Sequence, residues 1–178
     1  TVDGRVIAAR KPKKIFFSIK KIKEIRNLKF NSISIHDEVT SIAAVNSEVL
    51  FAGLSNGELW YLSLVDNTKV KIYPKKGNSI TSPINEIKLV DNTIFFAHKN
   101  KILNYNPQSK NLDVINLKQM GNENIVDFTY DNDSRIYIVS DSGKIFVHNL
   151  NNNYHSLIFN SNNNINFSHN DKVSKVVF

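Results

Sequence analysis

The 178-residue sequence has no cysteine, only six glycines and four prolines, and a single tryptophan. Without cysteine there can be no disulfide framework and no cysteine-ligated zinc, and a reducing compartment is favoured. We therefore expect an intracellular protein of the cytoplasm or nucleus. No apolar run approaches the roughly 20 residues that a membrane-spanning helix needs.

Motifs for catalysis are also missing. The sequence contains neither a phosphate-cradling glycine loop nor a G-x-S-x-G elbow, and no two histidines are spaced as zinc ligands. The run Asp131-Asn132-Asp133-Ser134 lacks the glycine and glutamate of a calcium loop. We predict no catalytic residues, metal site or cofactor. We expect His36 and His169 to cap the starts of structural units, His98 to lie in a turn and His148 to end a strand.

A repeat is present instead. Gly57, Asn100 and Gly143 follow one another at intervals of 43 residues, and each ends a polar turn before an apolar run. Glycine and asparagine both tolerate the positive φ that such turns need. A period of this length, carried by strands and tight turns, predicts an all-β protein, a β-propeller of four-stranded blades.

Each repeat contains four predicted strands, which places three whole blades at residues 36–80, 81–121 and 122–165. The third strand of each is apolar on both faces: Leu59, Ile102 and Ile145 share one face, and Trp60, Leu103 and Phe146 share the other. Burial of both faces is expected when every sheet is covered by its neighbours. We accordingly predict that Trp60 is a fully buried core residue.

These repeats resemble the WD40 family. In that family a Trp-Asp pair follows the turn by five and six positions, where this sequence has Leu62-Ser63, Tyr105-Asn106 and His148-Asn149. A histidine shortly before the first strand, another mark of the family, is matched by His36 and His169. The resemblance covers residues 1–178, although its motifs are degenerate. It implies a WD40-like propeller and a scaffolding role.

Both termini resemble incomplete blades. Residues 1–9 are similar to the turn and third strand of one blade, and residues 166–178 to the start of another. Residues 10–35 are expected to form a basic insertion and an outer strand. We therefore expect 1–178 to be a single propeller segment of a larger propeller, completed by other parts of the same protein or by another chain.

The insertion concentrates the positive charge. Residues 10–30 hold nine basic side chains and one acid, Glu24, whereas the whole chain has a net charge of +7. Ile15, Ile19, Ile22 and Ile25 are spaced for one face of a helix. The segment is either a solvated insertion or an arm that contacts the phosphates of RNA, DNA or an anionic membrane surface. The candidate contact residues are Lys11, Lys13, Lys14, Lys20, Lys21, Lys23, Arg26 and Lys29.

Two functions are compatible with these patterns. The first is a non-catalytic scaffold for protein–protein interactions in an intracellular multiprotein complex, with candidate rim contacts at 46–48, 91–92 and 131–133. The alternative is a nucleic-acid-associated subunit, of a ribonucleoprotein or of chromatin, that uses the basic segment Arg10–Lys29. A propeller enzyme would need convergent acids or metal ligands at equivalent positions of the repeats, and the sequence shows none.

Overall fold

The structure is a computed structural model that describes residues 7–10, 14–18, 30–74, 82–131 and 133–160. Its regular elements are antiparallel strands and one 3-10 turn, Lys118–Met120. No helix within these ranges has the length and hydrophobicity to cross a membrane. The prediction of an all-β fold with four-stranded sheets is confirmed.

Four sheets follow the order of the sequence, and each is a meander. Sheet A contains β1 Ile7–Arg10, β2 Lys14–Ser18 and β3 Phe30–Ser34. Sheet B contains β4 Val39–Ala44, β5 Val49–Leu54, β6 Leu59–Ser63 and β7 Lys69–Tyr73. Sheet C contains β8 Ile84–Val90, β9 Thr93–His98, β10 Lys101–Tyr105 and β11 Leu112–Asn116. Sheet D contains β12 Ile125–Tyr130, β13 Arg135–Ser140, β14 Lys144–Asn149 and β15 Tyr154–Asn160.

The chain divides into two compact units, Thr1–Leu89 and Val90–Phe178. In the first unit, Ile15 and Ile33 of sheet A are buried in one cluster with Leu50, Ala52 and Leu62 of sheet B. In the second, Phe95 and Ile102 of sheet C are buried with Phe128, Ile138 and Phe146 of sheet D. Each unit therefore has a core between successive sheets.

The third strands are apolar on both faces, as the sequence predicts. Leu59, Ile102, Leu103 and Phe146 are buried, whereas Ile145 is only partly buried. On one face, two of these residues have small cross-strand partners, since Leu59 pairs with Gly53 and Ile102 with Ala97, whereas Ile145 pairs with Val139. Small residues on the second strand leave room for the next sheet.

That room is used. Strand β9, the second strand of sheet C, contacts β12, the first strand of sheet D, and β1 of sheet A contacts β4, the first strand of sheet B. In the first unit, β5 approaches β8 at Gly53, where an added Cβ would lie 2.6 Å from Ile84 Cγ2 and 2.8 Å from Ile84 Cβ. The side-chain hydroxyl of Thr40 in β4 also donates to the carbonyl oxygen of Ile84 at 2.6 Å. The same contact thus recurs along the chain.

Sheet A corrects two predictions. Ile15, expected on a helix, lies on β2 and is fully buried, while Ile19, Ile22 and Ile25 lie outside the described residues. The Lys14–Ser18 run contains Ile15 and two phenylalanines, and such residues favour a strand between two partners. Ile7–Ala9, expected to be a third strand after a turn, instead precede β2 as β1 and pair with its residues 15–17.

In this position, β2 continues the repeat seen in the later sheets. Ile15 pairs with Ala9 as Leu59 pairs with Gly53 and Ile102 with Ala97, and it precedes Leu59 by 44 residues. Residues 14–18 are therefore a third strand in the repeat and not part of an insertion.

The turns before the third strands differ in detail. Gly57 and Gly143 have φ of 83° and 78°, as the repeat predicts, but in the second repeat it is Lys99, not Asn100, that has positive φ. This turn has only two residues, so the left-handed conformation falls one position earlier. The Asn100 side-chain amide donates to the carbonyl oxygen of Gly121 at 2.9 Å instead.

The Gly53 contact is testable by replacing Gly53 with alanine. Alanine normally stabilises an extended segment relative to glycine. Here we expect Gly53→Ala to lower the free energy of unfolding by about 1–3 kcal/mol, because its Cβ would overlap Ile84. Urea unfolding measures this change.

A double-mutant cycle with Ile84→Ala provides the control. Removing the Ile84 methyl groups relieves part of the overlap, so Gly53→Ala should cost less in the Ile84→Ala background. If Gly53→Ala is as stable as the unmodified chain, β5 and β8 are not in close contact.

Candidate interaction surface

In sheets B and D, polar side chains gather where the second and third strands join, an edge we call the loop end. In sheet B the loop end carries the turn 55–58, and in sheet D it carries the turn 141–143. The connection that leads into each sheet is bonded there: the Ser55 amide donates to the carbonyl of Glu38, and the Asp141 amide to the carbonyl of Asn124, both at 2.9 Å. Loop-end side chains therefore come from two separate stretches of chain.

Glu58 is the centre of the loop end of sheet B. Its Oε2 accepts a hydrogen bond from Trp60 Nε1 at 2.8 Å and lies 2.7 Å from His36 Nε2. Its Oε1 lies 3.3 Å from Lys71 Nζ. The His36 ring also meets the Trp60 ring edge-on, with centroids 5.2 Å apart. We call these four residues the Glu58 cluster.

The Glu58 carboxylate is held in its charged form. Burial, the largest single influence, raises its pKa, but hydrogen bonds from Trp60, Lys71 and Asn56 and the charge of His36 together outweigh burial. The net effect lowers the pKa of Glu58 below its ordinary value. A carboxylate that accepts so many hydrogen bonds is a poor general base, and it holds the residues that donate to it in place.

Sheet D carries a comparable arrangement around Glu123. Its Oε2 accepts from Ser142 Oγ at 2.8 Å, and its Oε1 pairs with Lys144 Nζ. Burial again raises the pKa of Glu123, but hydrogen bonds from Lys144, Ser140 and Ser142 and the charge of Lys144 together outweigh burial, so the pKa lies below its ordinary value. Both sheets thus use a glutamate to join the incoming connection and the turn.

The structure shows the positions of His36 and His98 and the burial of Trp60, and the sequence makes a prediction about each of them. His36 does hydrogen-bond across the start of its sheet, as predicted, whereas His169 lies outside the described residues. His98 is not in a turn but ends β9, and it is buried. Trp60 packs on the core but is only partly buried, because its indole N–H reaches Glu58 at the edge of the sheet.

The predicted rim turns use their side chains internally. Asn46 Oδ1 accepts from the amides of Glu48 and Val49 at 2.8 Å. Asp131 accepts from Arg135 Nε at 2.7 Å, and Arg135 Nη2 donates to Asp133 at 2.7 Å. Asp91 and Asn92 form a tight turn with φ of 45° and 62°. These groups stabilise turns.

Of the predicted phosphate contacts, the structure places one. Lys14 is exposed at the start of β2. The other seven lie outside the described residues: Lys11, Lys13, Lys20, Lys21, Lys23, Arg26 and Lys29. In the part of the chain that is described, no three histidine, aspartate or glutamate side chains are grouped to hold a metal ion.

The exposed large apolar side chains share one location that the sequence did not reveal. Those in the described ranges lie on the fourth strands β7, β11 and β15, or in the turn before β7: Val65, Val70, Val114, Tyr154, Leu157 and Ile158. We call β7, β11 and β15 the outer strands. Each ends its sheet and pairs with one neighbour in the sheet order.

The outer strands differ in charge. β7 contains Lys69 and Lys71, and β11 contains Asp113, whereas β15 has seven residues and no aspartate, glutamate, lysine or arginine. Tyr154 and Ile158 of β15 are 60% and 54% exposed. Charged residues on edge strands discourage pairing with other chains, and β15 lacks this protection.

Comparison with known proteins supports the fold alone. No family model matches the sequence, and no curated protein matches it. Many solved chains are similar in structure. One is the crystal structure of the computationally designed Ika8 protein, with a TM-score of 0.63 and 12% sequence identity over 88% of this chain. This chain covers 46% of that chain, so it spans about half of its length.

The Glu58 cluster is tested by Glu58→Gln, which removes the charge and keeps the shape. We expect a loss of about 1–3 kcal/mol in the free energy of unfolding at neutral pH, because the bonds to Trp60, Lys71 and His36 lose their ionic partner. The folded-state pKa of Glu58 is lowered, so this stability is present above about pH 4.5 and is lost as the pH falls through the folded value. Urea unfolding at neutral and at acid pH measures both effects.

Glu48→Gln is the matched control, because Glu48 is exposed. It should change the stability by less than about 0.5 kcal/mol. Equal stabilities for Glu58→Gln and Glu48→Gln at neutral pH would show that the cluster does not stabilise the sheet.

Proposed function

We propose that the chain is a segment of a WD40-like β-propeller that acts as a non-catalytic scaffold in an intracellular multiprotein complex. The single observation that carries the proposal is the recurring contact between the second strand of one sheet and the first strand of the next. Four-stranded meanders stacked in sequence order, with small residues at that contact, are typical of propeller blades. The degenerate WD40-like motifs of the sequence agree with this interpretation.

A binding role is supported by the chemistry of the loop ends. The glutamates that could act as bases are occupied by tryptophan, serine and lysine donors. In both units, the exposed large apolar side chains of the described residues lie along the outer strands or in the turn before β7. Exposed apolar side chains beside unpaired strand edges suit contacts with other proteins. We therefore propose that partner proteins bind along the outer strands, and most readily at β15.

The scaffold proposal predicts that a charge on β15 will prevent partner binding. The tagged chain carrying Ile158→Lys should recover at least about tenfold less of its stoichiometric partners than the unmodified chain, since an interface residue of this kind contributes over about 1.4 kcal/mol. Quantitative mass spectrometry of proteins that co-purify from cells measures the recovery.

Asn152→Lys is the matched control, because it adds the same charge at an exposed position in the turn before β15. It should leave the recovered proteins unchanged, and thermal unfolding should show that both variants are folded. The scaffold proposal fails if the unmodified chain recovers no stoichiometric partner. The assignment to β15 fails if Ile158→Lys binds like the control.

Nucleic-acid binding is the second candidate, and the concentration of charge favours it. Residues 10–30 contain nine of the 23 basic side chains of the protein, and Lys14 is exposed on β2. Clustered lysines bind phosphates by releasing counterions, without reading sequence. The segment contains two arginines and no regular series of aromatic residues alternating with its lysines, so contact with the backbone is more plausible than base recognition.

A salt titration of RNA and DNA binding tests this candidate. Each phosphate contact contributes about −0.9 to the slope of log K against the logarithm of the salt concentration on duplex DNA. Eight contacts would therefore give a slope of about −7. Lys20→Glu, Lys21→Glu and Lys23→Glu together should weaken binding at every sequence and flatten the slope. The same changes at Lys69, Lys99 and Lys110, which lie outside the segment, are the control. Absence of binding at low salt would eliminate the candidate.

A further inference from the structure

Two histidines face each other at the outer edge of sheet D. His148 of β14 and His155 of β15 are direct cross-strand partners, and their ring centroids are 5.8 Å apart. The His155 ring also stacks on the Phe146 ring, with centroids 5.4 Å apart and planes inclined by 9°. Both imidazoles are thus fixed between the last two strands of the second unit.

Among the described residues, neither imidazole has a polar partner. The four ring nitrogens of His148 and His155 are buried and have no hydrogen-bond partner among the described residues. Burial lowers the pKa of His148, and burial followed by the proximity of His148 lowers the pKa of His155. Both rings are therefore neutral in the folded chain at neutral pH.

The surroundings offer little to stabilise a charge. The row across sheet D that contains the pair continues through Ile136 to Tyr130. Tyr130 contacts Phe95 of sheet C, whose own row ends at Asp113 of β11. Asp113 is exposed and does not appear among the influences on the pKa of either histidine.

One lysine of the described residues shares a side of β14 with His148. Lys144 lies there but is paired with Glu123. Within the described ranges, a proton added to either histidine would therefore meet another imidazole and aromatic and aliphatic side chains, and no carboxylate is among the influences on the pKa of either ring.

We propose that this pair makes the attachment of β15 to β14 dependent on pH, so that mild acid releases the outer strand β15. Once protonated, the two rings would be neighbouring cations without acceptors, and water becomes available to both only if the strands separate. β15 is the strand that moves, because it ends the sheet order and its Tyr154, Leu157 and Ile158 are already exposed. The inference does not depend on the proposed scaffold role.

The direction of the pH effect follows from linkage. The released strand has histidines with an ordinary pKa of about 6.5, whereas the attached strand holds them below that value. The attachment is therefore at full strength above about pH 6.5 and weakens as the pH falls. At about pH 5.5 each histidine shifts the equilibrium toward release by up to about tenfold, and the pair by up to about 100-fold.

Hydrogen exchange of the whole chain, followed by mass spectrometry, tests the proposal. Amides of β15 should lose protection by about 10- to 100-fold between about pH 7.5 and pH 5.5, after correction for intrinsic exchange rates. Amides of sheet B should change by less than about threefold, since no buried histidine pair lies within it. Unchanged protection of β15 in the unmodified chain would overturn the proposal by itself.

Variants assign the effect to the pair. His148→Gln with His155→Gln removes both titrating groups, and the loss of protection at acid pH should disappear. His36→Gln, a change at an exposed histidine of the first unit, should keep it, and so should Asp113→Asn. If the double variant does not fold, NMR titration of the unmodified chain decides: both ring signals must titrate below about pH 6.5. A pH response that persists in the folded double variant would overturn the proposal.

Discussion

The close approach of the second strand of one sheet to the first strand of the next is the contact on which the structure depends. It requires small residues at equivalent positions, and Gly53 and Ala97 provide them. It also covers both faces of the third strand, so Leu59, Ile102 and Leu103 are buried although they lie on alternating sides. Since a two-sided apolar sheet is stable in water only when both faces are covered, each sheet needs its neighbours.

This dependence explains where polar chemistry is found. Two clusters of ionised groups, around Glu58 and around Glu123, lie at loop ends. Glu58 and Glu123 each bind the incoming connection to the turn beside it. Their donors hold the pKa of both carboxyl groups below the ordinary value despite burial. These clusters therefore join each incoming connection to the sheet that follows it.

The histidine pair places two titratable groups inside a sheet. His148 is 2% exposed and pairs across the strands with Ile136, a residue of the core between sheets C and D. At neutral pH an uncharged imidazole is tolerated there, because its ring packs like an aromatic residue, as the stacking of His155 on Phe146 shows. The pair weakens the attachment of β15 to β14 only when one of its rings is protonated. A histidine in this position contributes stability that depends on pH, whereas phenylalanine would contribute the same stability at every pH.

By itself, the sequence determined the strands of sheets B, C and D, because alternating turns and β-branched runs are local signals. It also determined that both faces of the third strands are apolar. Only the tertiary structure decided the place of Ile15, since its spacing from Ile19 suits a helix while β1 and β3 hold it in a strand. The same holds for the contacts of Glu58 with His36 and of His148 with His155. No motif of the sequence predicts either pairing, and these residues meet because the folded strands and turns bring them together.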